Sequence, residues 1–199
     1  MPHPTGKKEA GRARLLAGAG RSFRAFGYGG IGVDGIAKEA GVTSGAFYAH
    51  FRSKAAIFDQ VVRDGLADLA AGIDRFRSSG RDWAARFIDF YVDDRRTCDV
   101  RQSCALQALA GEAARGDSDA RAGFAAGFDQ AVEALSNPAV ASALDRDTAI
   151  ALLAMLSGGV TIARAIPDPK QSVEVAEAVR RIARQIAGDA GGEAAAPPV

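Results

Sequence analysis

Residues 32–54 read GVDGIAKEAGVTSGAFYAHFRSK, and this stretch decides the fold. Val33, Ile36, Ala37 and Ala40 recur at the three- and four-residue spacing of a helix with one buried face, and the stripe stops at Gly41, a residue suited to the left-handed backbone that ends helices. A second short stripe, Ala46, Phe47 and Phe51, begins after Thr43, which places Val42 as a plug between the two helices. Two short helices around a glycine turn make a helix-turn-helix, expected over about residues 31–51. Its second helix is narrow enough for a major groove about 12 Å wide. Thr43 and Ser44 open that helix, where hydroxyls and backbone N–H groups can meet phosphates and base edges. The helix has few bulky polar side chains, which predicts base reading by small groups and close backbone approach.

Working outward, the same periodicity continues. Leu16, Ala19, Phe23 and Phe26 predict a first helix that closes at the glycines of FGYGG. Ser53 caps a long helix striped by Phe58, Val62, Leu66, Leu69, Ile73 and Phe76, which ends at the glycine of SSGR. Three further sets each fit one helix: Trp83, Phe87, Phe90 and Tyr91; Leu106, Leu109 and Ala113; Phe124, Phe128, Val132 and Leu135. SNPA around Pro138 is a break, DRD caps the apolar helix that follows, and the prolines of IPDPKQS separate it from a last helix striped by Val175, Val179, Ile182 and Ile186. The expectation is an all-α chain of about nine helices. The tail from residue 188 to 199 has nothing to bury and reads as disordered.

Charge is uneven along the chain. Residues 1–54 hold nine basic side chains against three acidic ones, Glu9, Asp34 and Glu39, while the remaining 145 residues hold 16 basic against 21 acidic. A basic front on an acidic body suggests that the first quarter meets a polyanion. The longest uncharged apolar stretch, Ala149 to Ala163, falls short of the roughly 20 residues that span a bilayer, so no membrane partner is expected. The start, MPHPTGKKEAGR, has no apolar run after its lysines, which makes the cytoplasm the default location. Cys98 and Cys104 are too few for a disulfide framework.

From about Gly11 to Val62 the sequence resembles the DNA-binding domain of the TetR family of bacterial transcriptional regulators. RLLAGAGRSFRAFGYGG is similar to its first helix, VDGIAKEAGV to its second, and TSGAFYAHFRSK to its recognition helix running into the fourth. The resemblance implies a DNA-binding domain over residues 7–53, a helical regulatory and dimerisation domain over 54–187, and the tail 188–199. It places Thr43, Ser44 and Gly45 nearest the base edges and Tyr48, His50 and Lys54 on phosphates. Thr43 and Ser53 also read as helix caps, and Tyr48 and His50 also read as packed polar residues. Ile31 and Gly32 stand where the family often has a Thr or Ser that caps the second helix and touches phosphate, so that contact must come from backbone N–H or be lost. Ser44 replaces a frequent Lys and Ala49 a frequent larger residue, which shifts affinity toward Arg12, Arg14, Lys54 and the basic arm.

The other two-thirds carry no catalytic motif. His3 and His50 are the two histidines, and no phosphate-cradling glycine loop appears, so neither an enzyme, a cofactor nor a metal site is expected. By resemblance, helices four to seven surround a ligand cavity, for which Phe76, Trp83, Phe87, Phe90, Tyr91, Cys104, Phe124 and Phe128 are candidates, with ordinary core as the competing reading. The last two helices would form a dimer interface, with Ser157, Gly158 and Gly159 in LLAMLSGGVTIARAI and Val175, Val179 and Ile182 as candidates. The spacing of Cys98 and Cys104 fits neither a CxxC zinc pair nor one helical face, which leaves structural, ligand-lining and redox roles open. The expected function is a DNA-binding regulator, a repressor by family habit, that binds a palindromic operator as a homodimer and is released by a partly apolar small-molecule effector. The alternative is a ligand-binding or scaffold dimer without sequence-specific DNA binding, favoured by the missing hydroxyl at Gly32 and the small recognition helix. If the basic front meets phosphates, the logarithm of the DNA-binding constant should fall linearly with the logarithm of salt concentration. A titration giving the same affinity at low and high salt would contradict that assignment.

Overall fold

A computed structural model of the chain describes residues 4–138 and 143–192, and those residues contain helices and no strand. The helices are α1 (Pro4–Phe26), α2 (Val33–Glu39), α3 (Ser44–Tyr48), α4 (Lys54–Arg77), α5 (Trp83–Thr97), α6 (Ala105–Arg115), α7 (Ser118–Ser136), α8 (Arg146–Ala165) and α9 (Pro169–Gly192). A 3₁₀ turn, Val100–Gln102, lies between α5 and α6. The all-α expectation and its nine helices hold among the described residues. The first residues of the tail expected from residue 188 are helical, because α9 continues through Gly192 with Ala187 still buried. Residues 193–199 of that expected tail lie outside the described residues.

The chain divides into two compact units. The first is Met1–Gly65 with Asp99–Gly127, and the second is Leu66–Cys98 with Phe128–Val199. In the first, the buried face of α1 runs through Leu15, Ala19 and Phe23. This i, i+4, i+8 row turns Leu16 to the flank and leaves Phe26 exposed, which corrects the phase expected from sequence; the Arg101 guanidinium sits 5.6 Å from the Phe26 ring centre. At the end of α2, Gly41 adopts φ +65°. Its N–H donates to the Lys38 carbonyl and that of Val42 to the Ala37 carbonyl, the paired bonds of a Schellman ending. Ser53 caps α4 by accepting from the Ala56 N–H at 3.1 Å.

In the second unit, α8 packs against α5 and α9. Asp145 caps α8, accepting from the Thr148 N–H at 2.9 Å and the Thr148 hydroxyl at 2.6 Å, and these bonds hold its carboxyl below the usual aspartate range. The buried Arg77 side chain donates to the Ala134 and Asn137 carbonyls near the end of α7 and lies 5.6 Å from the Trp83 ring centre. Burial lowers its pKa from the usual arginine value, with Asp74 opposing that change. The buried row of α9 is Ser172, Ala176, Ala183 and Ala187, so the stripe expected there is a flank: Val175, Val179 and Ile186 are half-buried and Ile182 is 43% exposed. Small side chains on the inner row let α9 approach α8 closely, and of the bulkier flank Val179 packs onto Gly159 of α8. At 20 residues α8 is long and apolar enough to cross a membrane by length and composition alone, beyond what the stretch from Ala149 to Ala163 suggests. Seven of its residues are buried within the protein, from Ala149 through Ala163.

Gly159 is a point of close packing in that pairing. A Cβ on Gly159 would lie 2.5 Å from Val179 Cγ2. Val179 is β-branched and stiff, so Gly159→Ala should destabilise the protein by about 1–3 kcal/mol through overpacking, less about 1 kcal/mol of helix propensity gained. The double variant with Val179→Ala should recover most of the loss. Thermal unfolding of both variants measures the coupling.

A candidate nucleic-acid interface

Residues of α3 and its flanks present the predicted DNA-facing groups. Thr43 is the N-cap of α3, its hydroxyl accepting from the Ala46 N–H at 3.2 Å. Phe47 is fully buried and anchors the helix, meeting the Tyr48 ring edge-on at 5.3 Å and Phe51 at 6.0 Å. Tyr48 stands 61% exposed beside that anchor. Gly45 is exposed, and a Cβ there would meet nothing nearer than the Thr43 hydroxyl at 3.9 Å, which leaves room for another backbone to approach. Gly32 is the exposed N-cap of α2 and supplies no side-chain hydrogen bond. Gly32, Thr43, Gly45 and Tyr48 therefore all reach solvent, with Ser44 half-buried among them.

Other predicted contacts are engaged elsewhere. The Lys54 ammonium donates to the Tyr28 carbonyl at 2.9 Å and the Ile31 carbonyl at 3.1 Å, and sits 4.2 Å from the Tyr28 ring centre. It ties α4 to the link between α1 and α2, so its first role is to hold that link. His50 is half-buried, with its Nε2 3.0 Å from where a Cβ of Gly11 would stand. Arg12 lies 5.2 Å from the Phe51 ring centre and donates to Gln60 Oε1 at 3.3 Å, while Arg14 is exposed. Sequence reasoning missed the partner of Ser44, whose hydroxyl donates to Asp34 Oδ1 at 2.5 Å. The available signal was an acidic residue within a basic segment.

The head is braced by a second missed group. Glu39 at the end of α2 accepts from Arg21 Nε at 2.9 Å and Arg101 Nη1 at 3.3 Å. The Arg21 hydrogen bond, aided by Arg101 and opposed by partial burial, holds the Glu39 carboxyl below the usual glutamate range. Arg24 Nε adds a bond to the Ser103 carbonyl at 2.8 Å, so α1 and α2 both hold the segment around the 3₁₀ turn.

The aromatic ligand candidates fall in both units. In the second, Phe76 meets Phe87 at 5.7 Å and Phe90 at 5.3 Å, and Phe87 meets Tyr91 at 5.8 Å. Trp83 is buried, and its Nε1 has no hydrogen-bond partner among the described residues. Phe128 is a half-buried member of this unit; Cys104, the buried N-cap residue of α6, and half-buried Phe124 belong to the first. Cys98 Sγ donates to the Arg95 carbonyl at 3.6 Å and accepts from Arg164 at 3.7 Å. A cleft of about 220 Å³ in the first unit, lined by Tyr28, Phe58, Glu112 and Asp117 among others, was not expected. Of the dimer candidates, Gly159 is buried against Val179, Ser157 is half-buried and Gly158 is exposed. Among the described residues, no group of three or more His, Cys, Asp or Glu is placed to hold a metal ion.

Residues 15–61, which span α2, α3 and the turn between them, match the family model of the bacterial regulatory proteins, tetR family. This part of the chain is a tetR-family DNA-binding domain. No curated protein matches the sequence. Among solved structures, the chain is similar to reduced E. coli NemR (21% identity, 88% of this chain and 97% of that one, TM-score 0.73). It is similar to SCO4454, a TetR-family transcriptional regulator from Streptomyces coelicolor (22%, 92% and 97%, TM-score 0.69). It also resembles FadR, a fatty acid degradation regulator from Bacillus halodurans (14%, 98% and 100%, TM-score 0.67). At these identities the likeness is one of fold. The chain thus combines the fold of tetR-family regulators with the family's DNA-binding domain.

Because Glu39 has a lowered folded-state pKa, its ion pairs stabilise the tetR-type head above the usual glutamate value of 4.5, and that contribution is lost as pH falls through the lowered value. Glu39→Gln should therefore be less stable than wild type at neutral pH and should converge with it once the pH has fallen below the lowered Glu39 value. Denaturant midpoints of the two proteins across this range measure the effect.

Proposed function

We propose that the chain is a repressor that binds a palindromic operator as a homodimer in the cytoplasm and is released when a partly apolar small molecule occupies its regulatory part. The observation that carries this reading is the exposed surface of Thr43, Gly45 and Tyr48 on the second helix of the tetR-matched domain. Residues 7–53 serve as the reading head and 54–187 as the regulatory body. The aromatic cluster around Phe87, with the unsatisfied Trp83 N–H, supports an apolar effector that brings one hydrogen-bond acceptor. Ile162 at 55% exposure and Ile182 at 43%, with Ile150 and Val173, support α8 and α9 as the face shared with a second copy. In a dimer the two recognition helices would reach successive major grooves about 34 Å apart, and an effector that favours a different spacing would release DNA.

Gel-shift titration with the DNA upstream of the protein's own gene tests the reading. The expected result is a specific shift at two chains per duplex. A folded dimer with no specific shift would favour a ligand-binding protein without operator recognition. Ile162→Asp places a charge on the proposed shared face. It should give a folded monomer by light scattering and lose the operator shift.

A further inference from the structure

The two hydroxyls that open α3 have opposite hydrogen-bonding polarity. Thr43 Oγ1 already accepts, from the Ala46 N–H at 3.2 Å, so its O–H proton remains to be given. Ser44 Oγ lies 2.5 Å from Asp34 Oδ1, and because an ionised carboxylate only accepts, the single Ser44 proton points at Asp34. Ser44 then has only lone pairs left for any third group. Asp34 is exposed, and its carboxylate keeps lone pairs that the Ser44 bond does not use. The other acid of this segment, Glu39, is held by Arg21 and Arg101, whereas Asp34 pairs with an uncharged hydroxyl.

We propose that Ser44 and Asp34 form an acceptor pair that reads an exocyclic amino group in the major groove, cytosine N4 or adenine N6, at one position of each operator half-site. Amino groups are the donors that the major-groove edges of bases present; guanine shows acceptors and thymine an acceptor and a methyl. A keto edge opposite Ser44 would place oxygen against oxygen, with the Asp34 charge behind it. Thr43, holding a free proton, is complementary to a phosphate oxygen or a keto edge instead. The serine therefore acts as a specificity residue through the direction of its O–H bond, and Asp34 acts as a positioning residue that fixes that direction. The inference rests on the proposed operator-binding reading and adds to it the chemistry of one base position.

The test is selection from duplexes randomised over the half-site, followed by affinity measurements on the selected operator. Wild type should favour cytosine or adenine at one position by about fivefold or more over guanine and thymine, the lower end of base discrimination. Ser44→Ala should lose that preference while keeping the others. Asp34→Ala frees the hydroxyl to rotate, and should relax the same position while raising affinity for unrelated DNA. Removing the amino group from the base supplies a test that needs no variant. The operator carrying 2-pyrimidinone for cytosine, or purine for adenine, should bind wild type about fivefold more weakly and should bind Ser44→Ala like the natural base. A preference for guanine or thymine at the position that Ser44→Ala relaxes would overturn the proposal, as would identical selection by wild type and Ser44→Ala. Selective binding by wild type with no response to amino removal overturns the acceptor pair and leaves operator binding standing. No selection by wild type at all overturns both.

Discussion

A helix of five residues has no stability of its own, because nucleating a helical turn costs more than one or two hydrogen bonds return. That α3 exists rests on Phe47. Its ring is fully buried and touches Tyr48 and Phe51, and the Thr43 cap fixes the other end. The candidate reading surface is thus the outer side of an element whose inner side is one aromatic anchor. This explains why exposed Gly45 is tolerated in so short a helix: tertiary burial outweighs the loss of roughly 1 kcal/mol of propensity.

The rest of the head serves to keep that anchor in register. Lys54 closes the link between α1 and α2 by binding two carbonyls that lack helical partners, and Gly41 turns the chain so that α3 can start. Glu39 then holds α2 to both Arg21 of α1 and Arg101 of the 3₁₀ turn. These pairs are partly exposed, and each contributes little to stability by itself. Their value is directional, since one carboxylate ties the end of α2 to both α1 and the segment around Arg101.

Helix number and the exposure of the candidate surface were legible in the sequence because both depend on short-range periodicity and on Gly, Ser, Thr and Asp at chain turns. The phases of α1 and α9 were not. Sequence patterning weights bulk, so Phe26 and Ile182 were read inward, whereas Leu15, Ala176 and Ala183 are the residues that the neighbouring surfaces admit. The candidate site shows the same division. Exposure of Thr43, Gly45 and Tyr48 followed from the helix-turn-helix pattern, but the Ser44–Asp34 bond joins residues ten apart across a turn and leaves no periodic trace. Lys54 was placed on phosphate by the family resemblance, which says nothing of the two carbonyls it holds.

That engagement of Lys54 separates two properties that a count of basic residues merges. The attraction that draws a polyanion toward the head from a distance sums every charge, including those of Arg24 and Lys54, because hydrogen bonds to neutral carbonyls leave the charge in place. Arg21 is different, being offset by Glu39. Contact lifetime on DNA depends instead on cations whose donors are still free to bind phosphate. Arg24 and Lys54 therefore add to the encounter rate without adding the free donors that prolong dwell time, whereas a cation with free donors adds to both.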